Sequence, residues 1–187
     1  MPGVAGAGLV TSHTVRSMTG WESVQRVRES GDMESRQRVL VGEPVVESSD
    51  TGARWLGITY WDAVSRSTRR AVQATWRGDG GRLRLLGGPT LLRFGQPDVH
   101  CDDGLVSCRY AIEGGFLALQ AGGAVTLAQC AVDGAYELSV TVDQYMPRLA
   151  ARVGAPPWSG LLYAKGQSPF HEAVSRRYFD LLQRGRA

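Results

Sequence analysis

The chain contains no asparagine, and only one of its 21 basic residues, Lys165, is a lysine. The first absence removes every N-glycosylation acceptor and any Cys-His-Asn nucleophile arrangement. The second is the mark of a GC-rich genome rather than of phosphate chemistry, although arginine is the better fork for an oxyanion. Cysteine is scarce as well. Cys101, Cys108 and Cys130 form an odd set without the paired spacing of a zinc ribbon, so three reduced thiols are expected. No apolar run approaches the ~18–20 residues of a membrane helix. The start, Met1 to Gly8, lacks the basic residues of a signal peptide, and a cytoplasmic protein is expected. A surplus of charge is missing too: 21 Lys+Arg against 18 Asp+Glu leave +3, too little to call for nucleic acid.

Familiar catalytic signatures are also absent. There is no P-loop, and Gly3-Val-Ala-Gly-Ala-Gly8 follows no strand and has the wrong spacing for a dinucleotide. No Gly-x-Ser-x-Gly elbow occurs. His171-Glu172-Ala-Val-Ser175 places serine where a zincin needs its second histidine. His100-Cys101-Asp102-Asp103 matches no standard metal site and reads as a solvated turn. The expectation is a protein without metal or other cofactor.

What the chain has is enough apolar material for one domain, 43% of 187 residues. Residues 1–17, poor in charge, read as a flexible tail. Thr19-Gly20-Trp21-Glu22 has the pattern of a capping box, with Trp21, Val24 and Val27 on one side. A short N-terminal helix over 18–30 is expected, docked through Trp21 as a plug or a lid. The main domain then spans 36–187, opening with a strand around Val39 and Val41 that is interrupted near Pro44.

Glycine pairs punctuate the remainder. Asp79-Gly80-Gly81, Gly87-Gly88, Asp103-Gly104, Gly114-Gly115, Gly122-Gly123 and Asp133-Gly134 supply the positive φ of tight hairpins. They separate short extended segments at 83–86, 90–94, 105–113, 116–120, 124–130 and 135–145, an antiparallel meander. In the last, Tyr136, Leu138, Val140 and Val142 alternate with Glu137, Ser139, Thr141 and Asp143, giving one buried and one wet face. Ser168-Pro169 opens a helix over 169–184, with Phe170, Val174, Tyr178, Leu181 and Leu182 on its apolar stripe. Residues 54–77 fit either two strands or a helix, by propensity and by period respectively. The fold class is mainly β (α+β): an antiparallel meander, closed or strongly curved as a barrel, with a short N-terminal helix and an amphipathic C-terminal one.

With a helix in 54–77, the meander 82–145 and the helix 169–184 resemble in layout the helix-grip fold of START-type proteins and polyketide cyclases. With strands there, the order resembles the lipocalin-like barrel cyclases of natural-product pathways. Either resemblance implies a pocket for a lipophilic small molecule, with no metal or nucleotide.

Glu113 ends its strand just before Gly114-Gly115, where a barrel rim would lie, and a partly desolvated carboxylate there suits proton transfer. Asp62, beside Trp61, is a second candidate catalytic carboxylate. Each has a plainer reading as an ion-paired surface acid. Trp21, Tyr60, Trp61, Phe94, Tyr110, Phe116 and Tyr136 are candidate substrate-binding aromatics, with core packing as the alternative. Three functions fit. A cofactor-independent cyclase or isomerase acting on a lipophilic biosynthetic intermediate needs only a shaped pocket and one or two donors. A non-catalytic carrier or sensor would use the same pocket. A protein-interaction domain would have none. The expected partner is a lipophilic small molecule, with no nucleic acid and no membrane span, and with room for a homodimer.

Overall fold

In a computed structural model, which describes residues 13–16, 20–28, 32–147 and 157–185, alternation along the central strands sets up the whole architecture. The elements in chain order are β1 (His13–Arg16), β2 (Glu22–Val27), β3 (Met33–Val41), α1 (Asp50–Ser67), β4 (Val72–Arg77), β5 (Gly80–Leu85), β6 (Thr90–Phe94), β7 (Asp98–Asp102), β8 (Leu105–Gly114), β9 (Ala124–Val132), β10 (Ala135–Tyr145) and α2 (Pro157–Arg184). All strand pairs are antiparallel, in the order β1-β2-β3-β10-β9-β8-β6-β5-β4, with β7 also on β8. The sheet is strongly curved but open, with β1 and β4 as its edges.

The register lines up one inner face across the sheet. Gln37 pairs with Val140, Val140 with Leu127, and Leu127 with Cys108. Ser35, Val142, Val125 and Tyr110 form the next row in the same way. Leu127, Leu138 and Cys108 are fully buried, as are Leu56 of α1 and, to within 2%, Val174 and Leu182 of α2. The core therefore lies between the inner face of the sheet and the two helices. Burying one such aliphatic side chain contributes about 1.5–3 kcal/mol, which fixes the strand register as well as the fold.

The ambiguous segment resolves as a helix followed by a strand. Ser49 caps α1, its hydroxyl accepting from the Gly52 N–H at 3.0 Å. Thr68 closes the other end, its Oγ1 donating to the Val64 and Ser65 carbonyls and accepting from the Val72 N–H. Arg69 and Arg70 then adopt φ of +51° and +63°, a left-handed turn that feeds the chain into β4. The loop ahead of α1 hangs on Gln129, whose Oε1 accepts from Val45 and Val46 N–H while Nε2 donates to the Val46 carbonyl. No helix among the described residues is long and apolar enough to cross a membrane.

Several expectations need correction. Residues 22–27 are strand β2, not a helix, because Glu22–Val27 pairs residue by residue with β3. The short helix on the N-terminal side is instead α1, at 50–67. Residues 13–16 pair with β2, so the tail expected over 1–17 gives way to strand there; residues 1–12 lie outside the described residues. The segment 116–120 is not a strand. Phe116 and Leu117 N–H still reach the Thr90 and Leu91 carbonyls, but positive φ at Gly114 and Gly115 breaks the ladder before them. Conversely, Asp98–Asp102 is a strand, β7, with the Asp102-Asp103-Gly104 turn behind it. Strands β6 and β7 share one side of β8, parted at Gly95-Gln96-Pro97, where proline lacks a ladder donor. The C-terminal helix runs from Pro157 through Pro169, not from Pro169. Finally, the outer face of β10 is less wet than expected: Glu137 is only 9% exposed, covered by Arg36 and Arg38.

Candidate ligand-binding site

Aromatic residues cross the interior as one connected series. Trp21, just ahead of β2, meets Phe179 of α2 edge-to-face at 5.6 Å, with the Arg176 guanidinium 4.7 Å from the indole. Phe179 adjoins Tyr178 (5.2 Å), which meets Tyr60 of α1 (5.6 Å), which meets Trp61 (5.0 Å). Trp61 then contacts Phe94 at 4.9 Å, Tyr110 at 5.3 Å and Trp76 at 5.7 Å. Such contacts contribute about 0.5–1.5 kcal/mol each beyond their buried area. Trp76 lies flat across its cross-strand partner Gly81, where any Cβ would overlap the indole.

Beneath α2 the inner face of β2 and β3 turns polar. Ser23, Ser35, Gln37 and Ser175 are all 3% exposed or less. Gln37 Nε2 donates to Ser35 Oγ at 2.6 Å and to Ser23 Oγ at 3.5 Å, and Ser175 Oγ donates to Gln37 Oε1 at 3.4 Å. Gln25 sits on the same face, opposite Ser35.

Among the described residues, four buried polar groups have no partner at full hydrogen-bond geometry: Trp21 Nε1, Gln25 Nε2, the Tyr178 hydroxyl and Trp61 Nε1, the last near enough to the Tyr110 hydroxyl to favour its ionised form. Three belong to the aromatic series and the fourth to the polar patch. Each can donate, and an unmatched buried donor costs about 1–3 kcal/mol. Burial alone pushes the Tyr60 phenol above the usual tyrosine range, and burial is the leading cause for Tyr110 and Tyr178 as well. These rings therefore stay neutral donors at any physiological pH. Cys108 is likewise pushed up, first by burial, and is an inert thiol at the wall.

The expected site residues separate into groups. Tyr60, Trp61, Phe94 and Tyr110 come together, with Trp21 joined through Phe179 and Tyr178. Tyr136 is half-buried at the other end of β10, paired with Val41. Phe116 is 56% exposed, because the turn at Gly114-Gly115 carries it out of the sheet. Glu113 is exposed, on the face of β8 opposite Tyr110 and Ile112. Asp62 pairs with Arg66 at 2.8 Å on the outer side of α1, each about half exposed. Alternation on β8 turns Glu113 to the face away from Tyr110, as expected for a strand-end carboxylate, and Asp62, paired with Arg66, borders a groove beside Trp61. The residues missed in the sequence are Ser23, Gln25, Ser35, Gln37, Ser175 and Tyr178. Polar residues at two successive inward positions of a strand, Ser35 and Gln37 between Met33 and Val39, are the signal that would have found them.

A groove of about 490 Å³ opens beside the Trp61 end of the series, lined by Ile58, Trp61, Asp62 and Ser65 of α1, by Arg70, and by Gln73, Ala74 and Trp76 of β4. Its lining mixes apolar side chains with the charged Asp62 and Arg70.

No protein-family model matches the chain and no curated protein matches it. Solved structures do. The STAR-related lipid transfer protein of Xanthomonas axonopodis is similar at 11% identity, over 92% of this chain and 98% of that one, with a TM-score of 0.50. The human StarD13 lipid transfer and protein localization domain aligns at 11% identity over 91% and 88%, TM-score 0.44. CalU16 of Micromonospora echinospora aligns at 15% identity over 92% and 95%, TM-score 0.28. Identities this low speak for fold alone, and the first structure carries it. The chain has the helix-grip fold, an antiparallel sheet curved around a long C-terminal helix, the first of the two layouts that the sequence left open.

Proposed function

We propose that the chain binds a lipophilic small molecule bearing one or more hydrogen-bond acceptors, held between the sheet and the two helices. The observation that carries this reading is the set of buried donors without partners among the described residues, Trp21 Nε1, Gln25 Nε2 and the Tyr178 hydroxyl, two of them on aromatic side chains. A carbonyl or ether oxygen on a ligand would satisfy them, while the rings and aliphatic residues around them suit its apolar part. Lipid transfer is named for the similar Xanthomonas axonopodis protein, which supports the same ligand class. Among the described residues, Ser, Gln, Tyr and Trp supply the inner-face polar groups, and no carboxylate stands among them. Binding and carriage are therefore favoured over acid–base catalysis. A cyclase or isomerase acting on a biosynthetic intermediate is the second reading. It draws on the same donors, which can polarise a carbonyl without any carboxylate.

The test uses a dansylated fatty acid as a fluorescent probe with the full chain and two variants, Gln25→Leu and Tyr178→Phe. Both variants remove an unmatched donor and keep the volume, so the unliganded protein should melt at the same temperature or higher. Probe affinity should fall about fivefold or more, the usual value of one hydrogen bond. Unchanged affinity in both variants, or no probe binding by the parent chain, would contradict the reading.

A further inference from the structure

The outer face of α1 presents large apolar side chains to solvent where a stable domain would ordinarily place polar ones. Trp55 is 50% exposed and Ile58 59%, one helical turn apart. Trp76 of the edge strand, 37% exposed, joins Ile58 along the groove between α1 and β4. Isolated exposed apolar residues are ordinary, but a contiguous tryptophan, isoleucine and tryptophan set is the mark of a contact surface.

Arginines surround this set. Arg54 precedes Trp55, and the left-handed turn at Arg69 and Arg70 presents two more guanidinium groups at the end of the helix, both exposed. Arg70 lines the same groove as Ile58 and Trp76. No ion pair engages Arg54, Arg69 or Arg70 among the described residues, whereas Arg66 is neutralised by Asp62. Residues 50–77 hold five arginines against Asp50 and Asp62, and this surplus of three equals the net charge of the whole chain, +3. This local surplus lies around Trp55 and Trp76; residues 148–187 hold another, seven basic residues against Glu172 and Asp180.

We infer that this face docks on an anionic lipid bilayer, with Trp55, Ile58 and Trp76 entering the headgroup region and Arg54, Arg69 and Arg70 meeting lipid phosphates or carboxylates. Tryptophan, amphipathic at its indole N–H, prefers this interface, and arginine lets its aliphatic stem lie along apolar surface while the guanidinium stays at the headgroups. A basic cluster is held near an anionic leaflet by its surface potential, and the attraction is lost as salt screens it. The groove opens on this same face, so a docked protein would hold the Trp61 and Trp76 rings next to the bilayer. The docking rests on charge and exposure and does not depend on whether a ligand occupies the interior.

The experiment is flotation of the full chain with two vesicle populations, pure phosphatidylcholine and phosphatidylcholine with about a third phosphatidylserine, a composition whose surface is anionic. The expected result is binding to the anionic vesicles that 0.5 M salt abolishes, a concentration at which the screening length is only about 4 Å. Each arginine removed should lower partitioning about fivefold, so Arg69→Gln/Arg70→Gln should lose about twenty-five-fold. Trp55→Ser/Ile58→Ser should also lose binding, and both pairs, being exposed, should melt as the parent does. Arg26→Gln/Arg109→Gln, at exposed positions of β2 and β8, should float as the parent does. Equal binding to both vesicle types, no binding, or an equal loss in the Arg26/Arg109 control would overturn the inference. So would concentration-dependent dimerisation that Trp55→Ser/Ile58→Ser abolishes without any flotation of the parent, which would assign the face to a second copy of the chain.

Discussion

The Tyr110 hydroxyl lies against the α-carbon of Gly57, so closely that a Cβ at that position would overlap it and stand 3.1 Å from Cys108 Sγ. Residue 57 falls on the buried side of α1, midway between Ala53 and Trp61, and only hydrogen leaves room there for a tyrosine rising from β8. That contact seats the helix on the sheet and aims the Trp61 ring into the aromatic series.

Substituting Gly57→Ala should therefore cost about 1–3 kcal/mol, the usual range for overpacking a core, despite alanine's better helix propensity. Tyr110→Phe should recover part of the loss in the double variant and little or none alone. Urea denaturation of the four-member cycle measures the coupling; additive losses would mean that the two residues do not constrain each other.

The polar group around Gln37 makes a different prediction. Gln37→Ala leaves the Ser35 and Ser175 hydroxyls buried without a partner, and should cost about 1–3 kcal/mol or more. Replacing the whole set with apolar residues, Ser35→Ala/Gln37→Leu/Ser175→Ala, should cost less than that single change. A triple variant less stable than Gln37→Ala would show that the cluster is held by more than its internal hydrogen bonds.

Trp21 joins the start of β2 to α2 through Phe179 and Arg176. Trp21→Ala should lower stability by about 3–5 kcal/mol, as for other buried aromatic truncations. Ligand affinity should fall further than unfolding alone explains, because the change also removes the unmatched Trp21 Nε1 donor. Faster release of the dansylated fatty acid at unchanged melting temperature would instead make Trp21 a lid.

Burial on α2 pushes His171 down to about 4. Its unfolded value is near 6.5, so between these limits the unfolded chain binds more protons than the folded one. Stability should be constant above about pH 6.5 and fall as the pH drops toward 4, and His171→Gln should flatten that window. The ring keeps part of its surface in solvent, so the loss falls short of that for a fully buried imidazole. A urea midpoint that follows pH identically in both proteins would contradict it.

Local signals in the chain carried the hairpins well. Asp133-Gly134 and Asp103-Gly104 turn the chain at positive φ where tight turns demand it, and the alternation of Leu138, Val140 and Val142 matches their inward row. What failed was decided at a distance. Trp21, Val24 and Val27 mimic a helical stripe, yet Glu22 to Val27 is held by pairing with Arg38 to Met33, a partner no local pattern announces. Glu22 serves no cap; it takes the Arg38 Nε at 2.8 Å, and Arg38 also reaches Glu137. The aromatic half of the site was legible because Tyr60, Trp61, Phe94 and Tyr110 advertise burial by size. Its polar half was not, because serine and glutamine on an inner strand face look like ordinary surface until the register places them under α2.

The central claim is that the chain holds a lipophilic molecule between the sheet and the helices. Native mass spectrometry of the full chain tests it most directly, first as purified from its own host and then after incubation with a total lipid extract of that host. The account predicts a one-to-one adduct that survives gentle ionisation and is released on denaturation as a lipophilic compound bearing oxygen acceptors. A bare protein mass after both treatments would contradict it, whether or not the chain floats with anionic vesicles.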